Sequence, residues 1–404
     1  MNITIQKFGG TSTSSVPTRQ LMYTHILKAV KQQKKVVAVV SAMGRFDDPY
    51  ATDTLYSLVG QNALTDSEMD RLASIGEDIA TLVIKAELNK MGLNVTSLTN
   101  QELGIITDDH FQKANIIELD GSMILEKLKD YDVIICPGFQ GHTKDGRLTT
   151  LGRGGSDLSA IALGVSLNAD AVEIYSDVNG IYTADPRIVQ DAIKIDYISH
   201  QAMMALAKQG AKVLNYRCVS LANKHNVPIH ARSSFNDDDG TLVTSSNKNQ
   251  YLEISGVAGK SGLTLIRLSG FKNDKYSNDL LDEALNNINI KPIANFHDEN
   301  SNYSLIFDSK EVSEAIEVLK EVQLTLDFDR IIVRGRVGCV SFVSDFLQDR
   351  KEYFIQAHEV LDQMGINIIM ETCIGITAVY YIDRNDVSLA QSLLHQHFYS
   401  KGGR

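Results

Sequence analysis

"KKVVAVVSA", Lys34–Ala42, decides the class of fold. Five consecutive apolar residues, Val36–Val40, stand between two lysines and Ser41, with neither helical spacing nor polar alternation. A short, β-branched run of this kind is a strand covered on both faces. "YDVIICPGF" (Tyr131–Phe139) and "DAVEIYSD" (Asp170–Asp177) repeat the pattern, and "NITIQKF" (Asn2–Phe8) is a further short strand. Helical patterns separate them, at about Pro17–Gln33, Asp66–Met91 and Asp157–Leu167, the first with proline in its favoured opening turn. Strands alternating with helices predict a parallel, doubly wound α/β sheet. Ligands of such sheets bind at the carboxyl ends of the strands.

A chain of 404 residues is too long for one ordinary core and predicts two or three domains. Its formal net charge of −11, with no local block of Lys and Arg, excludes an ordinary nucleic-acid binder. No apolar run approaches a membrane span, and Met1–Phe8 lacks the regions of a signal peptide, so a cytoplasmic location is expected. Cys136, Cys218, Cys339 and Cys373 are far apart and form no CxxC pair, which suggests neither a disulfide framework nor a zinc site. Cys136 and Cys218 read as small buried hydrophobes.

Near Ser245–Asn249 ("SSNKN") the composition turns polar and marks a boundary. Beyond it, "LTLIRLSG", "NDLLDEALNNINI", "NYSLIFD" and "EVSEAIEVLKEV" alternate strands and amphipathic helices. "GCVSFVS", "YFIQAHEVLDQMGINIIME", "ITAVYYID" and "VSLAQSLLHQHF" repeat that rhythm. Two ferredoxin-like β-α-β-β-α-β units account for it. This half carries no glycine-rich phosphate loop and reads as regulatory.

The chemistry-bearing motifs sit just after a predicted strand or just before a helix. "KFGGTS" (Lys7–Ser12) puts a cation beside a turn whose amides can face anionic oxygens. It is no P-loop, and a tight turn with a solvated lysine is the plainer alternative. In "SAMG" and "ATDTL", Ser41 and Thr52 offer hydroxyls to the crevice, although Thr52 or Asp53 equally suits a helix cap. Glu77, in "IGED", is by default a solvated helical carboxylate, whereas "PGFQG" (Pro137–Gly141) follows its strand directly and reads as a site loop.

"TTLGRGGSD", Thr149–Asp157, carries more information. Ser156 or Asp157 can cap the helix that follows, whose amides favour an anion. Arg153 adds a planar fork for a carboxylate or phosphate. Asp157 would repel a triphosphate but suits an ammonium group, so the pair fits a zwitterion: α-carboxylate on Arg153, α-amine on Asp157. An ordinary capped loop is the alternative. In "YSDVNGIYTADPR" (Tyr175–Arg187), two turn dipeptides make a structured loop. There Tyr182 can pack on adenine, Asp177 and Asp185 can meet ribose or metal-bound water, and Arg187 can meet phosphate. "GAKVL" (Gly210–Leu214) supplies Lys212, a second cation, although alone it reads as solvated.

In this order, "KFGGTS", "VVSAMG", "PGFQG", "TTLGRGGSD", "SDVNGIYTADPR" and "GAKVL" closely resemble aspartate kinases of the amino-acid kinase family. The resemblance spans most of residues 1–245, and "SAMG…DPYATDTL" is most similar to the Bacillus-type enzymes. It implies a three-layer αβα fold around an open, mostly parallel sheet, and transfer of the ATP γ-phosphoryl group to the β-carboxylate of L-aspartate. The product is 4-phospho-L-aspartate, the entry to lysine, threonine and methionine synthesis. It further implies that Ser41, Thr52, Glu77, Phe139, Arg153, Ser156 and Asp157 bind aspartate. Lys7, Gly9, Gly10, Ser176, Asp177, Tyr182, Asp185, Arg187 and Lys212 would bind nucleotide. Lys7, Lys212 and Asp157 would be catalytic, the two lysines neutralising phosphate and Asp157 also orienting them. Mg²⁺ would arrive with ATP, without a dedicated protein metal site.

The second half resembles the paired ACT domains of the same enzymes, one over 263–328 and the other over 250–262 plus 329–404, with "LEISGVAG" as a detached strand. That implies homo-oligomers and an amino-acid effector such as lysine, threonine or diaminopimelate. "KVLNYR" lacks the proline common after "KVL" in the family. Two alternatives stand beside this reading. One is an amino-acid kinase acting on a glutamate-type substrate, and the other is an effector-sensing ACT protein with a dead kinase domain.

Overall fold

The computed structural model describes residues 1–60, 63–211, 213–245, 251–272, 274–297 and 302–400. The chain forms two compact units, Met1–Thr183 with Ile193–Leu252, and Ala184–Ala192 with Glu253–Arg404.

The strands of the first unit are β1 (Ile3–Phe8), β2 (Lys35–Val40), β3 (Val95–Ser97), β4 (Ile105–Thr107), β5 (Ile116–Leu119) and β6 (Val133–Pro137). They continue with β7 (Gln140–Thr143), β8 (Leu148–Thr150), β9 (Val172–Ser176), β10 (Tyr197–Ile198), β11 (Ile229–Ser233) and β12 (Thr241–Val243). Its helices are α1 (Gly10–Thr13), α2 (Val16–Lys31), α3 (Thr52–Ser57), α4 (Asp66–Lys90), α5 (Ser122–Asp130), α6 (Gly155–Ser166), α7 (His200–Lys208) and α8 (Tyr216–His225).

Eight strands form one sheet in the order β10-β12-β11-β9-β1-β2-β6-β3. Every neighbouring pair is parallel except β11 with β12. The chain builds outward from β1 through β2 to β6, then crosses to the other side of β1 to lay down β9. Strand order therefore reverses at β1, which opens a crevice at its carboxyl end.

Alternation along the strands assigns the layers. Phe8, Val36, Ala38, Val40, Val133 and Ile135 face one way and pack with Met22, Tyr23 and Ile26 of α2 and Ala80, Ile84 and Leu88 of α4. Lys7, one residue before Phe8, points to the opposite face. There α6 lies against β1, β2 and β9. Nearly all of α6 is buried, and a Cβ on its Gly164 would stand 2.4 Å from Val172 Cγ2, so glycine sets how closely helix and sheet approach. Capping boxes at Ser15–Thr18 and Thr65–Glu68 fix the starts of α2 and α4.

A second sheet, β5-β4-β7-β8, is made of strands of only three or four residues, too short to show periodicity in sequence. Asp70, on α4 and fully buried, holds it in place. Its carboxylate accepts from Thr150 N at 2.8 Å, Thr150 Oγ1 at 2.6 Å and Gln112 N at 2.9 Å.

The second unit contains β13 (Gly256–Ser269), β14 (Ala294–His297), β15 (Asn302–Asp308), β16 (Arg330–Val343), β17 (Met370–Ile374) and β18 (Thr377–Asp383). Its helices are α9 (Lys275–Asn287), α10 (Val312–Leu326), α11 (Glu352–Gln363) and α12 (Val387–Ser400). The antiparallel sheet runs β14-β15-β13-β16-β18-β17. Two apolar cores pack the helices against it. Ile266, Leu268, Leu305 and Phe307 pack with Leu281, Leu285 and Leu319 in one. Val340, Phe342, Tyr380 and Ile382 pack with Ala357, Leu361 and Leu394 in the other. The fourteen-residue strands β13 and β16 run through both, and their register breaks between Lys260 and Leu263. The two ferredoxin-like units are thus fused through shared strands instead of following one another. Among the described residues, no helix is long and apolar enough to cross a membrane.

Candidate active site

A cleft of about 810 Å³ opens at the carboxyl ends of β1, β2 and β6. It is lined by Lys7, Gly10, Ser41, Thr52, Glu77, Phe139, Arg153, Ser156 and Asp157, nine residues that the sequence singled out. Lys7 ends β1 on the α6 side, and its Nζ stands 2.5 Å from Asp157 Oδ1. The pair is largely enclosed, with side chains 12% and 15% exposed. Asp157 thus already faces a cation within the protein.

Glu77 is no solvated carboxylate. It is 2% exposed, and its Oε1 accepts from Ala42 N at 3.1 Å. Oε2 is buried with no partner among the described residues. Burial pushes this carboxyl up to about 8, against the downward pull of the Ala42 amide and the Thr52 hydroxyl. Thr52 opens α3, whose cap is Ala51 without a side-chain hydrogen bond, so its hydroxyl caps nothing and turns to Glu77.

The "GRGGS" segment starts α6 two residues earlier than its pattern predicts. Neither Ser156 nor Asp157 is the cap. Gly154 is, at φ 75°, a left-handed conformation that costs glycine nothing, and α6 begins at Gly155. Ser156 and Asp157 therefore stand inside the first turn, with their side chains in the cleft. Phe139 takes φ 70°, unusual for a bulky residue. It is held there by its amide donating to Ser159 Oγ at 3.0 Å and its carbonyl accepting from Leu151 N at 2.8 Å.

The expected nucleotide residues are less gathered. Gly9 precedes α1 as its cap, and a Cβ there would lie 3.5 Å from Lys7 Nζ. Ser176 ends β9, the neighbour of β1, and Asp177 follows it, both outside the lining of the cleft. Asp177 Oδ2 meets Arg45 Nη2 at 2.7 Å. Tyr182 makes an isolated bridge with Lys194. Asp185 and Arg187 pair with each other at 2.7 Å within Ala184–Ala192, the segment grouped with the second unit. Lys212 lies outside the described residues.

Sequence reasoning missed Arg45, Phe46, Tyr56, Met69 and Gln112, which also line the cleft. Tyr56 was findable: it follows Thr52 by one helical turn and so shares its face. Burial pushes its hydroxyl up to about 12, with Asp70 and Glu77 adding to the effect. Cys136 and Cys218 are fully buried thiols, as expected.

Residues 2–233 match the model of the amino acid kinase family. Aspartokinase 2 of Bacillus subtilis is 33% identical over 98% of both chains. The chain belongs to the aspartokinases of that family. Aspartokinase 1 of the same organism is 43% identical, but over 62% of each chain. Escherichia coli aspartokinase III shares the fold, at 23% identity over 98% of this chain. Its complex with aspartate and ADP, matched over 100% of that chain, superposes with a TM-score of 0.82. Its complex with lysine and aspartate, matched over 99%, gives 0.76. ATP-dependent aspartate kinase activity comes with membership in this family, and the α/β sheet followed by fused ACT units is its architecture.

Proposed function

We propose that this cleft aligns L-aspartate with the γ-phosphoryl group of ATP and transfers that group to the β-carboxylate, giving 4-phospho-L-aspartate. One observation carries the assignment of roles. Arg153 and the half-unpaired, buried Glu77 line the same cleft as the Lys7–Asp157 pair. An arginine fork takes an α-carboxylate and a buried carboxylate takes an α-ammonium. Lys7 is left for phosphate, and Asp157 aims it. Ser41, Thr52, Phe139 and Ser156 shape the pocket between them.

The chemistry asks for little more. A β-carboxylate oxygen attacks the γ-phosphorus, the bond from that phosphorus to the bridging oxygen breaks, and ADP leaves. The acceptor is ionised at neutral pH, so no protein base is needed. Positioning and charge neutralisation supply the rate. Gly9, Gly10, Ser176, Asp177, Tyr182, Asp185, Arg187 and Lys212 belong to the nucleotide side of the proposal.

Among the described residues, no three His, Cys, Asp or Glu side chains converge as metal ligands. A magnesium ion carried on nucleotide phosphates asks for one or two carboxylates at most, and Asp177 and Asp185 would meet it through its bound water. When bound, it neutralises phosphate charge.

The division into a catalytic domain over residues 1–245 and ACT domains over 263–328 and 250–262 plus 329–404 is part of the proposal. So are a cytoplasmic location, homo-oligomers, and an effector among lysine, threonine and diaminopimelate. The test incubates the full chain with ATP, Mg²⁺ and single amino acids and traps acyl phosphate with hydroxylamine. Hydroxamate formed with L-aspartate and not with L-glutamate is expected. Absence of aspartate hydroxamate would overturn the reading. Repeating the assay with each effector identifies the regulator.

A further inference from the structure

The stretch "KVLNYR" ends against the loop that carries Arg153. Asn215 caps α8, its Oδ1 accepting from Arg217 N at 2.9 Å. The other end of the same amide is turned away from the helix: Nδ2 donates to the carbonyl of Arg153 at 3.2 Å. Gly154 sits against this side chain, and a Cβ there would stand 2.6 Å from Asn215 Nδ2. Arg153 lies between Gly152 and Gly154, both at positive φ, so its own backbone has little intrinsic stiffness. Its neighbours' carbonyls are held elsewhere. Leu151 O accepts from Arg217 Nη1 at 2.6 Å, Gly152 O from Gly155 N at 2.8 Å and Gly154 O from Leu158 N at 3.2 Å. The Asn215 amide is the contact that holds Arg153 itself, and α8 is anchored by packing on α6 and α7.

We propose that Asn215 is a positioning residue, one that aims the Arg153 guanidinium by fixing its carbonyl, separately from its service as a helix cap. The inference rests on the reading that Arg153 takes the α-carboxylate of aspartate. The two jobs of Asn215 use opposite ends of one amide, and chemistry can part them. Aspartate and serine both cap helices well. Aspartate has no donor for the Arg153 carbonyl, and serine is too short to reach it.

The experiment measures kcat, both KM values and the thermal midpoint for Asn215→Asp, Asn215→Ser, Arg153→Ala and the double variant Asn215→Asp/Arg153→Ala. With the cap retained, the midpoints of the two Asn215 variants should stay within about 3 °C of the parent. Losing one neutral hydrogen bond should raise KM for aspartate about two- to tenfold in both, with KM for ATP unchanged. In the Arg153→Ala background the effect of Asn215→Asp should vanish, because its route is gone. Unchanged aspartate KM in both variants overturns the inference, as does an equal rise in both KM values or a full effect in the Arg153→Ala background. A large fall in both midpoints overturns it too, by making the cap the whole of the role. If Arg153→Ala alone leaves aspartate KM unchanged, the reading of Arg153 fails and this inference fails with it. Every other adverse outcome leaves that reading standing.

Discussion

Lys7 Nζ stands 2.5 Å from Asp157 Oδ1, joining the end of the central strand to the first turn of the helix that covers it. Two roles for Asp157 part here. A carboxylate that aims Lys7 acts on the transferring phosphoryl group, whereas one that holds the substrate ammonium acts on aspartate binding. The pairing favours the first. Asp157→Ala should therefore lower kcat by about 100- to 1,000-fold, the usual cost of losing a preorganised charge contact in the transition state. Its KM for aspartate should change little. Steady-state hydroxamate kinetics check this, and a large rise in KM at near-normal kcat would restore Asp157 as the ammonium partner.

Arg153 is exposed within the cleft and stands on a loop with glycine on either side. Arg153→Ala removes a charge-assisted, two-pronged contact and should raise KM for aspartate by about 10- to 100-fold. KM for ATP should stay near the parent value. Arg153→Lys, which keeps the charge but not the fork, should fall between the two. An equal rise in both KM values would show the loop facing nucleotide instead.

Asp70 is a structural prediction of a different kind. Its fully buried carboxylate accepts from the backbone of Thr150 and Gln112 and from the Thr150 hydroxyl. Asp70→Ala would leave the Thr150 amide and hydroxyl buried and unmet, which should cost about 2–4 kcal/mol of stability. Urea unfolding should show a lower midpoint. Loss of activity should follow the unfolding curve, because Asp70 itself is not among the residues lining the cleft.

Much of this was legible from period and position alone. Val36–Val40 is fully buried, as a strand covered on both faces must be, and Lys7, Ser41, Phe139 and Arg153 all come at or beyond strand ends. Other features were not legible, for definable reasons. The second sheet uses strands too short to carry a period. Glu77 stands beside Asp78 in "IGED" and looks solvated until α3 folds over it. The start of α6 went astray because serine and aspartate are the stronger caps by type, while the bend before the helix needed the left-handed backbone of Gly154. The ion pair between Asp185 and Arg187 has no signature in "ADPR" beyond the nearness of opposite charges.

Glu77 yields a prediction with a definite sign. Its carboxyl is raised by burial from 4.5 to about 8 in the folded protein. A group raised on folding contributes its stability fully below the unfolded value and loses it as pH rises through the folded one. Stability should therefore fall between about pH 4.5 and pH 8, by up to about 1.4 kcal/mol per unit from this group. Glu77→Gln keeps the shape and the acceptor for Ala42 N while removing the ionisation. Its thermal midpoint should vary less over that range and exceed the parent's at the alkaline end. Catalysis should run the opposite way. Only ionised Glu77 can hold an ammonium, so kcat/KM for aspartate in the parent enzyme should climb about tenfold per pH unit and level off near pH 8. In Glu77→Gln that profile should be low and flat, while KM for ATP stays unchanged. A parent profile without this limb would remove Glu77 from the ammonium site, whatever the thermal midpoints show.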